Sequence, residues 1–259
     1  MLNAGLRRER ILQTLDAQEK VRVKHLAQRL GVSAGTIRGD LEALATAGLL
    51  LRQHGGASPT QRTPRPARAL RHDRKQRIAD CAADLVQPGD KLILDAGAST
   101  LQLALNLARS LAQPSTAPRL TVFTSSLPIA NELASVPDME LILSGGVLRT
   151  DSQSFQGPRA EASMDAYVFD KLFLAAAGFD PEFGLSTHDD AEARLNQRMV
   201  AHAREVIVLA DAKTLGQTCL HRICALSRIS TVVTDAGIAP ALQAALERQK
   251  VRVLIAKEN

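Results

Sequence analysis

The sequence predicts a mixed α/β protein in two folded parts, and three observations predict it. Charge is divided along the chain: residues 1–57 hold nine Lys/Arg against five Asp/Glu, residues 58–77 seven against one, and residues 78–259 sixteen against twenty-one. Residues 6–48 carry apolar stripes at helical spacing, separated by short turns. Beyond residue 90, short apolar runs alternate with amphipathic stretches, which predicts a mostly parallel sheet with helices on both faces. The expected organisation is a first domain over 1–57, a basic proline-rich linker over 58–73 and a second domain over 74–259.

A chain of 259 residues, 45% apolar, is long enough to build self-sufficient cores. Three cysteines, Cys81, Cys219 and Cys224, are too few and too unevenly placed for a disulfide framework and fit a reducing compartment. No run is apolar for long enough to span a bilayer, and the opening MLNAGLRRER meets charge too soon for a signal peptide. The expectation is a cytoplasmic protein with no membrane partner.

In the first part, LRRERILQTL sets Leu6, Ile11, Leu12 and Leu15 along one face of a helix. Val21 and Val23 flank Arg22 like a short strand, and HLAQRL then supplies Leu26, Ala27 and Leu30 at helical spacing, ended by Gly31. Ser33 is a good N-cap for a third helix with Ile37, Leu41 and Leu44 on its buried stripe, closed by Gly48. Two short helices joined by a glycine-containing turn form a helix-turn-helix, whose second helix enters the DNA major groove N-terminal end first.

That end is Ser33, Ala34, Gly35, Thr36 and Arg38. Small residues permit close approach, hydroxyls and the helix N-terminus bind phosphate, and Arg38 reaches a phosphate or a guanine edge. Glycine costs about 1 kcal/mol against alanine in a helix interior, so Gly35 asks for a reason, and close approach supplies one. LLLRQHGGAS reads as a strand, a tight turn and a return strand, a wing presenting Arg52 and His54. A basic front on an acidic body implies a polyanion partner for the front alone, double-stranded operator DNA. A bundle serving only dimerisation needs neither the capped turn nor the basic hairpin.

RERILQTL and VKHLAQRLGVSAGTIRGDLEALATAGLLLRQHGGA together resemble the winged helix of the DeoR family of bacterial transcriptional regulators. The family signature reads VS, two residues, TIRRDL, and later R, one residue, HGGA. The resemblance implies DNA contacts from Ser33, Thr36, Arg38, Arg52 and His54, and withdraws one phosphate contact where Gly39 replaces the family's second arginine. In the connector, Pro59, Pro64 and Pro66 favour an extended spacer. A helix can begin near Ala67 and run through Lys75, Ile78, Ala79, Ala82 and Leu85.

In the second part KLILDAG, LTVFTSS, MELILSGG, KLFLAAAG, EVIVLAD, STVVTDAG and VRVLIAK read as strands, and TLQLALNLARSL and EARLNQRMVAHA as amphipathic helices. Ligands of such sheets bind beyond the carboxyl ends of the strands. There stand Asp95, Gly97, Ser99 and Thr100; Thr124, Ser125 and Ser126; Gly145 and Gly146; and Asp211 with Lys213. Backbone N–H groups and hydroxyls at a helix start suit phosphate, Lys213 is its natural counter-charge, and Asp95 suits sugar hydroxyls.

These segments, with FLAAAGFD and GLSTHDDAEARLNQRM, resemble the DeoR-family sensor domain, a Rossmann-like α/β fold related to sugar-phosphate isomerases. The resemblance implies an effector site at Asp95, Gly97, Ser99, Thr100, Thr124, Gly145, Gly146 and Lys213, and a phosphorylated sugar as effector. Two departures are Ser125, where the family often has Asn, and Asn196, where it has a lysine four after the glutamate matched by Glu192. THDDAEARLN is similar to the amino-sugar branch.

The expected function is a ligand-responsive transcriptional regulator, a repressor of a carbohydrate catabolism operon, acting as a homo-oligomer, dimer or tetramer. The alternative is a sugar-phosphate isomerase-like enzyme with a fused DNA-binding domain. Asp95, Glu192 or Asp211 would be its base, but nothing in the sequence pairs them into an acid/base set. A DNA-binding architectural protein without a ligand is a third reading. No catalytic residue, cofactor or metal is expected: Cys219, His221 and Cys224 lack the fourth ligand and paired spacing of a zinc site, and read as thiols in a strand-edge helix region.

Overall fold

The computed structural model describes residues 7–8, 11, 14–15, 20–46, 50–53, 55–58, 66–112 and 118–257, with the side chains of 66–72 excepted. Leu6, Leu12, Gly48, His54, Pro59 and Pro64 lie outside the described residues. The chain divides into two compact units, residues 1–72 and 73–259.

In the first unit residues 7, 8, 11, 14 and 15 are helical, with Ile11 and Leu15 buried. Strand β1 (Val21–Arg22) leads directly into helix α1 (Val23–Leu30). Val23 is therefore the first residue of a helix rather than the end of the expected strand, yet it stays buried. Gly31 closes α1 in the left-handed region at φ +65°, its N–H bonding the Ala27 carbonyl. The Ser33 hydroxyl accepts the Thr36 N–H at 3.0 Å and starts helix α2 (Ala34–Thr46), which buries Ile37, Leu41 and Leu44. Strands β2 (Leu51–Gln53) and β3 (Gly56–Ser58) form an antiparallel hairpin, and β3 also pairs with β1. One apolar cluster joins Ile11, Leu15, Val21, Leu26, Ile37 and Leu50.

Asp40 lies on the buried stripe, three residues after Ile37, and is 3% exposed. Arg7 and Arg8 both hold it, Arg8 Nε donating at 3.0 Å. Two guanidiniums thus satisfy a carboxylate that burial alone would penalise, and tie residues 7–8 to α2.

Helix α3 spans Pro66–Ala83. Pro66, expected to exclude helix, occupies its first position, where a missing N–H and a fixed φ cost nothing.

In the second unit the strands are β4 (Lys91–Leu94), β5 (Leu120–Thr124), β6 (Met139–Leu143), β9 (Phe169–Ala175), β12 (Ala203–Leu209), β14 (Thr231–Thr234) and β15 (Arg252–Ile255). They form one seven-stranded sheet in the order β15-β14-β12-β9-β4-β5-β6. Every pairing within it is parallel. Each of the seven predicted runs supplies one strand. Successive side chains feed opposite cores: Leu172, Leu174, Val206 and Val208 pack on one face, and Phe173, Ile207 and Leu209 on the other. Helices α4 (Ala98–Ser110) and α5 (Leu127–Leu133) cover the second face with Leu103, Leu107 and Ile129. Helices α6 (Pro158–Ala162), α7 (Asp190–His202) and α8 (Pro240–Arg248) cover the first with Ala160, Met199 and Leu246.

Two additions escape the sequence reading. Strands β7 (Val147–Arg149) and β8 (Ser154–Gln156) form a hairpin after β6. Strands β10 (Gly178–Asp180), β11 (Gly184–Thr187) and β13 (His221–Cys224) form a small antiparallel sheet. The cysteine region expected as helix is accordingly strand: Cys224 lies in β13 and Cys219 just before it. The strand pairs antiparallel with β11, Arg222 opposite Ser186 and Cys224 opposite Leu185, and buries Ile223 and Cys224.

Candidate functional site

The first unit presents the N-terminal end of α2 to solvent. Ser33, Gly35, Arg38 and Gly39 are exposed, and Ala34 and Thr36 half-buried. Ser33 and Thr36 also bond each other through their hydroxyls at 2.9 Å. A concave surface of about 820 Å³ runs along this end, lined by Lys24, Gln28, Ser33, Ala34, Arg38 and Gly55, among others. Lys20, Arg22, Lys24, Arg29 and Arg38 are all exposed, and none has a carboxylate partner among the described residues. Arg52, on the wing, is instead paired with Glu42 of α2. His54 lies outside the described residues.

The fold gives no reason for the two glycines of α2. A Cβ at Gly39 would meet nothing within 4 Å, and one at Gly35 only the Ser33 hydroxyl at 3.5 Å. Gly39→Arg therefore has room, and the helix gains by about 1 kcal/mol. It is expected to tighten binding to all DNA and to steepen the dependence of log K on log salt by about one per half-site. Weaker binding by a stably folded Gly39→Arg would show that close approach, rather than charge, sets this position.

In the second unit β4 runs first and its neighbours β5 and β9 lie on opposite sides, so the chain reverses direction across the sheet there. Such a switch point opens a crevice beyond the strands' carboxyl ends. Asp95 leaves β4 into it, 3% exposed, its N–H bonded to the Phe173 carbonyl at 3.1 Å. Burial, and then the charge of Glu192, push its carboxyl up to about 7. Glu192 is set by helix α7, whose N-cap Asp189 accepts the Glu192 N–H at 3.0 Å. That bond, reinforced by Arg149 at 2.6 Å, holds Asp189 below the usual carboxylate range. Glu192 Oε1 accepts the Thr187 hydroxyl at 2.8 Å.

The predicted loops all reach this edge, with different duties. Gly97 precedes α4, and a Cβ there would stand 2.3 Å from that of Ala175, so the loop lies flush on the end of β9. Gly97 at the N-cap has no side chain to cap α4, so among the described residues its first N–H groups have no side-chain partner, beside Ser99. Thr100 turns its hydroxyl to the carbonyls of Asp95 at 2.7 Å and Gly97 at 2.9 Å. Thr124 donates to the Leu94 carbonyl at 2.7 Å and accepts the Ser126 N–H at 3.0 Å. Both threonines shape the loops from beneath. Gly145 and Gly146 turn the chain into the β7–β8 hairpin, and a Cβ at Gly146 would meet the Gln156 carbonyl at 2.8 Å.

Lys213 is exposed after β12, in a turn that Asp211 builds by accepting the Thr214 N–H at 3.1 Å. Among the described residues it has no carboxylate partner. Sequence reasoning missed Asn196 as a site feature: it is 1% exposed on α7 with both amide atoms unpartnered, as is the Ser125 hydroxyl. The departure from the family pattern at both positions was the available signal. Cys219 Sγ lies 3.4 Å from His188 Nε2, and burial raises its thiol. Among the described residues no group of three or more His, Cys, Asp or Glu could hold a metal ion, and no helix is long and apolar enough to cross a membrane.

A helix-turn-helix with a free basic edge, joined in one chain to a sheet with a polar crevice at its switch point, defines a ligand-responsive DNA-binding regulator. Residues 7–63 match the DeoR-like helix-turn-helix domain and residues 70–236 the DeoR C-terminal sensor domain. The chain belongs to the DeoR family of transcriptional regulators, and is a regulator rather than an enzyme. It is 37% identical to a protein of Escherichia coli O157:H7 named as a repressor of the aga operon, over 97% of this chain and 94% of that protein. It is 34% identical to the HTH-type transcriptional regulator YulB of Bacillus subtilis, over 95% of each. Among solved structures, ribose 5-phosphate isomerase A from Methanocaldococcus jannaschii aligns with a TM-score of 0.41 at 16% identity, over 55% of this chain and 54% of that one.

Proposed function

We propose that the chain represses a carbohydrate catabolism operon in the cytoplasm and is released from, or fixed on, its operator by a phosphorylated sugar bound in the crevice. Residues 1–57 read DNA, residues 58–73 link, and residues 74–259 sense. Ser33, Ala34, Gly35, Thr36 and Arg38 face the groove, while Arg52 and His54 reach the flanking backbone, Arg52 by exchanging Glu42 for phosphate. Asp95, the 97–100 loop, Thr124, Gly145, Gly146 and Lys213 form the effector site, with Thr100 and Thr124 acting through the loops they brace. The working form is a homo-oligomer, dimer or tetramer, matching a two-fold operator. The repressor name of the E. coli relative, 37% identical across nearly the whole chain, supports the sign of regulation.

The observation that carries the effector class is a helix start with no capping side chain at Gly97, beside Ser99, on the same sheet edge as a lysine that has no carboxylate partner among the described residues. A phosphate dianion there gains charge-assisted hydrogen bonds that a neutral sugar cannot make. The test is titration of sugars and their phosphates against the full chain bound to DNA from upstream of its neighbouring genes. Phosphates alone should shift the complex, and Lys213→Ala should raise the required concentration by about tenfold or more. An equal response to free sugars, or a normal response from Lys213→Ala, would refute the phosphate site.

A further inference from the structure

The division between the two units falls inside α3, which spans Pro66–Ala83, at His72 and Asp73. The second half of that helix is fixed to the sensing unit. Ile78, Ala79 and Ala82 are fully buried, in the same apolar cluster as Leu103 and Leu107 of α4. Apolar contact is non-directional and tolerates the sliding of one helix along another. The polar side chains beside it do not. Gln76 Nε2 donates to Asp80 Oδ1 at 2.9 Å and to Asn106 Oδ1 at 2.8 Å, and Asn106 Nδ2 donates to the same Asp80 oxygen at 2.7 Å. Arg109 adds a further donor to Asn106 Oδ1. Gln76 and Asp80 belong to α3, Asn106 and Arg109 to α4. Bonds of this length are lost on a shift of about 1 Å, so they set the register of one helix on the other. Ser99, Gln102 and Asn106 recur at helical spacing along α4, a polar stripe from its start beside the crevice to this cluster, with Ser99 6% and Gln102 8% exposed.

We infer that Asn106 is a positioning residue for regulation: it locks α3 to α4, so that whatever moves the start of α4 also moves the helix that runs back into the DNA-binding unit. The inference rests on the reading of the 97–100 loop as part of the effector site, and names the element through which that site acts. Thr100 ties the first turn of α4 to the Asp95 and Gly97 carbonyls, and Gly97 lies flush on β9, so loop and helix shift together. Each helix moves as a rod, because its own backbone bonds must break before it bends. A ligand alters DNA affinity only through a difference between two arrangements. Here the arrangements differ in the position of α4, and the hydrogen bonds at Asn106 make α3 follow. A contact serving stability alone has no need of the amide, since leucine at 106 would extend the apolar cluster.

The test compares the full chain with Asn106→Leu, Asp80→Ala and Asp80→Asn, the last of which keeps an acceptor oxygen for Gln76 and Asn106. Gel shifts on DNA from upstream of the neighbouring genes give the affinity with and without glucose, galactose or fructose 6-phosphate. In the wild type the two affinities should differ by about five- to 150-fold. In Asn106→Leu and Asp80→Ala the difference should fall to about twofold or less, while phosphate binding by calorimetry and DNA affinity without phosphate stay within about threefold of wild type. Asp80→Asn should restore the response. A purely structural role would lower the melting temperature and leave the response alone. An unchanged response in folded variants therefore overturns the inference and leaves the effector reading standing. If Asn106→Leu does not fold, the two Asp80 variants decide. If no phosphate shifts the wild-type complex, hydrogen exchange over residues 98–110 with and without the DNA decides. Protection that changes with DNA in the wild type but not in Asn106→Leu keeps the coupling and removes the phosphate reading. Protection that changes in neither, or equally in both, removes both.

Discussion

Arg38→Ala is expected to weaken operator binding by about 1–3 kcal/mol per half-site, about five- to 150-fold, while leaving the thermal melt unchanged. Arg7 and Arg8 are held by Asp40, and Arg52 lies against Glu42, so three of the arginines near the recognition helix are already engaged. Arg38 is exposed on the helix end that enters the groove and has no such partner among the described residues. Alanine is the better helix former at an exposed site, so the fold loses nothing. Gel-shift titration on operator and on random DNA separates two contacts. Loss confined to the operator identifies a base edge; equal loss on both identifies phosphate. Undiminished binding to both DNAs would remove Arg38 from the interface and with it the docking direction of α2.

Gly97→Ala should have a comparably large effect on the other unit. The added methyl would stand 2.3 Å from the Ala175 Cβ and 3.2 Å from the Thr100 hydroxyl. Contacts below about 3.5 Å between carbons are repulsive, so the loop must lift away from β9. Thr100 ties that loop to the Asp95 carbonyl, and the first N–H groups of α4 move with it. A displacement of about 1 Å is enough to spoil a charge-assisted cradle. The expected result is overpacking of about 1–3 kcal/mol, read as a lowered melting temperature, together with loss of the effector response. DNA binding without effector should persist, because Gly97 belongs to the sensing unit. A normal response by Gly97→Ala would place the phosphate elsewhere on the sheet edge.

The parallel sheet was legible because its strands are buried on both faces. KLIL, LTVF and VIVL are continuous apolar runs, and that continuity is what two-sided burial requires. The β7–β8 hairpin was not legible, since its strands are three residues long and Val147 is 73% exposed, leaving neither length nor alternation to read. Asp95, Gly97 and Lys213 could be found because each lies within four residues of a strand's carboxyl end. The nearness of Glu192 to Asp95 could not, since only the packing of α7 against the sheet brings it about. Thr100 and Thr124 show the limit of residue type as a guide. A hydroxyl at a loop reads equally well as ligand donor or loop brace, and only backbone direction shows that both donate to carbonyls. Asp40 was readable in principle: a carboxylate at the spacing of Ile37 and Leu44 has to find cations or stay out of the core.

Asp95 and Ser125 directly follow core strands, Lys213 lies four residues beyond one and Asn196 sits on a core helix, yet none of the four is an apolar core residue. Substitutions that keep the size of these side chains can therefore change the ligand chemistry of this edge while leaving the apolar packing of the sheet in place. A lineage can then retune which metabolite it hears while the groove-reading helix and its operator stay fixed. Asn196 in place of a lysine is the kind of single-codon drift such a plan tolerates, and it gives a duplicated regulator a short path to a new nutrient.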